Sequence, residues 1–405
     1  MKKAVALLVC ILLLCSSAAL ADPPIRTEGI VIPVIEELKP FTVPENEATA
    51  FARRMKAGWN LGNTFDAHDD EGWFKGSGAA METAWGNPVT VPEVMDLLKE
   101  AGFNTLRLPV SWHNHVDEND TIDPAWMARV REVADAALSR GLFVIVNVHH
   151  DNHENQSAWF YPDEAHFDRS AAYLKAVWRQ MAEAFADCDE HLILESLNEP
   201  RLVGTKYEWS WDPASAECKE AADCINRFNQ LFVDTIRSTG GNNASRFLMV
   251  PGYAASPWFE VNAAFQLPKD PAENRLMVEA HAYTPYPFAL QPDSHDSVFT
   301  LDDTAKKAEI SNFLNQLYRR FVSRGIPVIM DEFGAVNRGG NLQDRVNFAA
   351  WYVASASSRG ITCCWWDNGI FSGNGELFGI LDRNTLQWRY PDIALAIERN
   401  SLVNR

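Results

Sequence analysis

The chain has 405 residues, 47% of them hydrophobic, and a formal net charge of −18 from 36 basic and 54 acidic side chains. That acidity repels phosphate backbones and excludes nucleic acid as a partner, while a neutral polymer meets no such barrier. The length allows two or three domains, but α/β barrels often use such a span as one.

The first 21 residues, MKKAVALLVCILLLCSSAALA, join two lysines to an apolar stretch and small residues at Ala19 and Ala21. They read as a secretory signal peptide cut after Ala21, and removing Lys2 and Lys3 takes the charge to 34 − 54 = −20. The expected location is therefore outside the cell, or in the periplasm or at the cell surface. A lipoprotein anchor at Cys10 or Cys15 is the weaker alternative, because Val9 and Leu14 precede them. No later apolar run is long enough to span a bilayer, so no membrane association is expected.

Residues 22–45 are rich in Pro and Glu without a steady period, and read as a leader that lies against the domain or stays mobile. From about residue 46 to 405, strand-like runs alternate with helical ones. The strand candidates are KAGWNLG, NTLRLPV, LFVIVNVHH, LILESLN, RFLMVPGY, RLMVEAHAY, IPVIMDEFG and ITCCWWDNG. Helical patterns such as VPEVMDLLKEAG, PAWMARVREVADAALSRG and RSAAYLKAVWRQMAEAFAD lie between them, several ending in Gly. Eight strands with intervening helices predict an α/β fold, a (β/α)8 TIM barrel forming a single catalytic domain. A doubly wound sheet competes, but no Gly-rich phosphate fingerprint follows the first strand. The stretch 201–224 is polar and aromatic and reads as a long loop over the catalytic face.

Of the seven cysteines, two fall in the signal, leaving five. Cys218 and Cys224 flank a polar stretch and could close a short loop in an oxidising compartment, or stay as free thiols. None of the five has zinc-type spacing.

Two apolar runs end in a glutamate: HLILESLNEP carries Glu199, and IPVIMDEFG carries Glu332. Barrel strands present their chemistry at their C-terminal ends, and two carboxylates there suit cleavage of a glycosidic bond. Glu195 lies deeper on the same strand as Glu199 and is expected to pair internally. Alternation is expected to turn Asp331 away from the face of Glu332. His281 and Tyr283, two apart on one strand, share a face. The strand ends offer His, Asn, Tyr and Trp between only two Glu, so neither metal nor cofactor is expected.

GWNLGNTFDA (58–67), RLPVSW (107–112), VNVHH (146–150), LNEP (197–200), HAYTPY (281–286), DEFG (331–334) and WWDNG (365–369) occur in this order. Together they resemble glycoside hydrolase family 5, in its endoglucanase-rich branch. The resemblance implies a retaining endo-β-1,4-glucanase with Glu199 as acid/base and Glu332 as nucleophile. The acid/base is then expected to have a raised pKa and the nucleophile to stay ionised. It further implies Arg107 and Tyr283 as donors to the nucleophile, His281 beside the acid/base or the sugar, and Asn198 on the 2-hydroxyl. His149 matches the family's strand-end histidine, and His150 either supports it or touches the sugar. Trp366 matches the floor beneath the reacting sugar, leaving Trp365 to face the core, and Asn63 and Asn368 become candidate sugar contacts. Trp112, Trp159, Trp209, Trp211 and Trp258 are candidates for outer subsites, each as readily explained by packing. The implied partner is a β-glucan polysaccharide, acted on by a monomer. β-Mannan or xylan, or a catalytically silent carbohydrate-binding barrel, are the alternatives.

Overall fold

In the computed structural model, eight short strands close into one parallel barrel in the order β1 to β8. They are β1 Ala57–Leu61, β2 Thr105–Leu108, β3 Phe143–Val146, β4 Leu192–Glu195, β5 Leu248–Val250, β6 Leu276–His281, β7 Val328–Phe333 and β8 Thr362–Asp367. Each falls inside one of the eight predicted runs. The helices are α1 Glu47–Arg54, α2 Glu93–Glu100, α3 Pro124–Leu138, α4 Phe167–Ala184, α5 Ala216–Ser238, the single turns α6 Pro257–Glu260 and α7 Tyr286–Ala289, α8 Thr304–Arg320, α9 Leu342–Ser358 and α10 Pro391–Asn400. The structure describes residues 26–76, 78–153 and 159–401, so the predicted signal peptide lies outside the described residues. Among the described residues no helix is long and apolar enough to cross a membrane.

The period of two along each strand sorts side chains into two cores. On β3, Val144 and Val146 join the large outer core between barrel and helices, while Phe143 and Ile145 point inward. The inner core also holds Ile193, Met249, Met277, Ile329 and Cys364, and α1 plugs its lower end through Ala48, Phe51 and Ala52. Phe51 stacks on Phe247 with ring centroids 3.7 Å apart. Asn46 caps α1 in a capping box with Thr49, which fixes the plug's entry angle. The wall is tight where β1 meets β8, since a Cβ at Gly58 would fall 2.1 Å from Cys364 Sγ. Above the apolar floor the same inward positions turn polar, and the floor thereby supports a charged layer rather than a pore.

The leader lies against the domain. Ile32 and Ile35 are buried in the outer core, and the backbone is tied to the last helices by Thr27 N to Asp392 (3.0 Å), Val31 N to Gln343 (2.8 Å) and Ile35 N to Asn400 (2.9 Å). Its ordering follows from these side-chain acceptors, which Pro-rich composition does not reveal.

Two expectations are corrected. The loop expected over 201–224 ends at Ser215, whose hydroxyl caps α5, and residues 216–224 are helical. The cysteine pair therefore cannot close a loop: Cys218 and Cys224 lie six residues apart on α5, both buried and free. At ~1.5 Å of rise per residue they stand about 9 Å apart along the axis, beyond disulfide reach.

Replacing Asn400 with Ala should destabilise the protein by about 1–3 kcal/mol, because the buried Ile35 N–H and the Pro33 carbonyl lose their partner. Urea unfolding of the variant beside the parent checks this, and an unchanged midpoint would show that the leader contributes nothing.

Candidate active site

The charged layer begins with Arg107, whose side chain is fully buried on β2. A guanidinium carries five N–H donors and no acceptor. Here Nε–H and one Nη2–H grip Glu195 at 2.8 and 2.6 Å, the second Nη2–H reaches Asn198 Oδ1 at 2.8 Å, and Nη1 donates to Glu332 Oε1 at 2.6 Å and Asn60 Oδ1 at 3.1 Å. Glu195 thus pairs internally, as its depth on β4 suggested, and Arg107 contacts Glu332. Burial pushes Glu195 up to about 7 against the pull of Arg107.

Glu332 receives its second oxygen's bond from Tyr283 Oη at 2.9 Å. Burial lifts its pKa, opposed by the charges of His281 and Arg107. Tyr283 is held well above the usual phenol range by burial and by the nearby carboxylates, and stays a donor. Glu199 accepts from His281 Nδ1 at 2.8 Å, and His281 Nδ1 also lies 3.6 Å from Glu332 Oε2. One oxygen of each glutamate and a ring nitrogen of His281 all lie within 4.8 Å of one another. Such a trio could ligate a metal by distance alone, but the Arg107 cation on Glu332 opposes a second positive charge there.

The protonation differs from the expectation for Glu199. Burial would raise its pKa, but the bond and charge of His281, with Arg201 and Arg107, bring it below the ordinary value. The proton resides instead on His281: burial opposes it, and the carboxylates of Glu332, Asp331 and Glu199 outweigh burial and hold the imidazole charged well above the usual histidine range. The proton is therefore held by the Glu199–His281 pair and not by a lone carboxyl.

Asp331 is also corrected. Alternation from Ile329, an inner-core residue, brings Asp331 inward, where it meets Arg107 Nε at 3.2 Å and His281 Nε2 at 3.4 Å. Glu332 faces the site as well because the pairing of β7 with β8 shifts between Met330 and Phe333. An irregular strand end can direct two successive side chains to one region.

Among the remaining candidates, Asn198 has its Oδ1 taken by Arg107, which leaves its amide donors to the cleft. His149 is set by Asn147, whose Nδ2 lies 3.0 Å from Nδ1, and its ring is parallel to Trp366 within 2°. Burial lowers His149 and His150 well below the usual range, so both are neutral. His150 sits edge-on to His149, with centroids 4.4 Å apart, and is partly exposed. Trp366 belongs to a small apolar cluster with Val336 and Phe378 at the mouth, against which Tyr283 packs, whereas Trp365 lies in the outer core. A Cβ at Gly62 would come within 2.9 Å of the Trp366 ring, so the residue that follows β1 must be glycine for that ring to keep its place. Asn63 is half-buried beside Trp366's strand, with its backbone at φ 54°.

Asn368 is tied to its own loop: its Nδ2 donates to the Glu376 carbonyl at 2.7 Å and its Oδ1 accepts from Ile370 N at 3.1 Å, so its amide holds the 368–376 loop. Trp112 is core, its indole bonded to the Asn147 carbonyl. Trp211 is bonded to the Cys218 carbonyl. Trp209 and Trp258 stay exposed, at 65% and 53%. Residues that the motifs contained without a role being given are Asn60, which ties β1 to the Asp331 carbonyl at 2.8 Å, and Asn147. The two-residue spacing of Asn147 from His149 was the available signal.

The family model described as "Cellulase (glycosyl hydrolase family 5)" matches residues 66–372. Endoglucanase 1 of Ruminococcus albus is 42% identical over 89% of this chain and 83% of its own length. Endoglucanase A of Clostridium longisporum is 40% identical over 87% of this chain, which spans 65% of that protein's length. Among solved structures, a complex of a glycoside hydrolase 5 lichenase from Caldicellulosiruptor sp. F32 with cellotetraose superposes with a TM-score of 0.89, at 47% identity over 92% of this chain and all of that one. A broad-specificity endoglucanase from Ruminococcus champanellensis with bound cellotriose gives 0.80, at 42% identity over 88% of this chain and all of that one.

Two outcomes test this geometry. Arg107→Lys should cut kcat/KM by at least about a hundredfold, since one ammonium cannot serve five acceptors. His281→Gln should move the alkaline limb of the kcat/KM profile down by about one pH unit or more, because the proton then rests on Glu199 alone. An alkaline limb that stays in place would remove His281 from the acid/base unit.

Proposed function

The chain belongs to the cellulase family of glycosyl hydrolases, family 5, and on that premise we propose a retaining endo-β-1,4-glucanase. The observation that carries the mechanism is the approach of Glu199 and Glu332, whose nearest oxygens lie within 4.8 Å. Carboxyl groups about 5 Å apart leave no room for a water between the second carboxylate and the sugar, which favours attack by that carboxylate itself.

Glu332, held between Arg107 and Tyr283, attacks the anomeric carbon while Glu199 protonates the departing glycosidic oxygen. That proton reaches Glu199 from His281 across their 2.8 Å bond, so Glu199 is a carboxylate again once the leaving group departs. Glu199 then takes a proton from the water that releases the glycosyl group, and the anomeric configuration is retained. Arg107 and Tyr283 stabilise the charge that returns to Glu332. The free amide of Asn198 suits the 2-hydroxyl, and the flat face of Trp366, parallel to His149, suits the apolar face of the reacting sugar.

The substrate is read as a soluble or amorphous β-glucan: cellulose chains, mixed-linkage glucan or xyloglucan. The names of the lichenase and of the broad-specificity endoglucanases among its relatives support a glucan backbone over mannan or xylan. The sequence of residues 1–21 supports export, and we take the working unit to be a monomer.

Reducing-sugar release from carboxymethylcellulose, mixed-linkage glucan, xyloglucan, xylan and mannan tests the assignment. Mixed oligomers from the glucans, initially as the β-anomer, are expected; activity confined to mannan or xylan would overturn the substrate, and α-anomer products the mechanism. Glu332→Gln should lose turnover by at least about a thousandfold while still binding cello-oligosaccharides.

A further inference from the structure

Beyond the catalytic residues, a second group of ligating side chains sits on the loops that leave β1 and β2. His68, Asp70 and His113 bring one nitrogen or oxygen each to within 4.8 Å of one another. Asp70 Oδ1 lies 2.5 Å from His68 Nδ1 and 3.5 Å from His113 Nε2. A tetrahedral ion with bonds of about 2.0 Å keeps its ligand atoms about 3.3 Å apart, so modest side-chain movement would seat one.

Two features mark the group as built rather than incidental. His113 is oriented from behind: its Nδ1 meets Asp151 Oδ1 at 2.7 Å, and that fully buried carboxylate also accepts from the backbone of Trp112 and His113 and lies 3.2 Å from Tyr173 Oη. A carboxylate behind an imidazole fixes its tautomer and raises its basicity as a ligand. The opposite nitrogen, Nε2, belongs to a side chain with no exposure, has no hydrogen-bond partner, and is directed at Asp70. The loop bearing His68 and Asp70 is also held in place. Asn114 bonds both the N–H and the carbonyl of Asp69, and the Asp69 carboxylate accepts from Glu71, Gly72 and Phe74.

We propose that His68, Asp70 and His113 form a site for a divalent transition cation of the zinc class, with Asp151 as the orienting carboxylate. Two imidazoles and one carboxylate leave a fourth position open, and this donor set selects against magnesium and calcium. The His150 ring lies 5.0 Å from His68 and the Trp159 ring 3.8 Å from His113. The ion would thus fasten the first loop to the second on the wall of the catalytic cleft.

The test uses the full chain stripped with a chelator and titrated with Zn²⁺ by calorimetry and with Co²⁺ by visible absorption. One equivalent should bind, Co²⁺ should show tetrahedral absorption, and millimolar Mg²⁺ or Ca²⁺ should not compete. Asp70→Asn and His68→Ala, at partly exposed positions, should weaken binding by at least about tenfold while keeping the parent's circular dichroism. His281→Gln should leave it unchanged. Absence of stoichiometric binding, or affinity unaffected by Asp70→Asn, would overturn the proposal and leave the trio as a hydrogen-bonded brace. Equal loss in His281→Gln would overturn it by moving the ion to the catalytic carboxylates.

Discussion

The guanidinium of Arg107 is removed from water and surrounded by four residues from three strands: Asn60 on β1, Glu195 and Asn198 at β4, and Glu332 on β7. Burying such a charge is costly, and only complete pairing offsets the cost. Each N–H has an acceptor, so the side chain has a single orientation, and the groups it touches inherit that orientation. The free amide of Asn198 and the position of Glu332 both follow from it. Because the acceptors come from opposite sides of the barrel, the arrangement exists only once the barrel has closed.

Around this cation the interior carries more carboxylates than positive charges. Glu195, Glu279 and Asp331 lie beneath the two site glutamates, and burial with mutual repulsion holds Glu279 well above the ordinary range. Arg107 and His281 bring Asp331 down in spite of its burial. The layer is therefore a shared field in which each proton's location depends on the others. His281 stands at its upper edge, between Asp331 below and Glu199 above, and so couples the buried layer to the cleft.

Much of this was legible in the chain. Apolar runs alternating with helical patterns located all eight strands, and strand-end chemistry located Glu199 and Glu332 before any resemblance was invoked. Inward positions on one strand, such as Phe143, Ile145, Asn147 and His149, even record the passage from floor to charged layer. What failed did so for identifiable reasons. Alternation from the inner-core Ile329 places Asp331 inward but would turn Glu332 away, because the register shift that brings both to the site depends on pairing with β8, which one strand's sequence cannot display. The polar composition of 216–224 hid a helix whose buried stripe there, Cys218, Ala221, Ala222 and Cys224, is built of small and thiol side chains. The hold of Asn368 on its loop was not legible either, since its partners are backbone atoms of a loop that has no motif.

The leader's attachments have a consequence for how the molecule is made. Thr27 meets Asp392 and Ile35 meets Asn400, each across 365 positions of chain. The N–H groups of Thr27 and Ile35 thus find their acceptors only after the last helix exists, and β1 finds its second neighbour only in β8. An N-terminal fragment that stops short of β8 keeps an open sheet edge and gains little from partial assembly. Synthesis from one end to the other therefore ends in a single closure event, in which the earliest residues lock the latest ones in place.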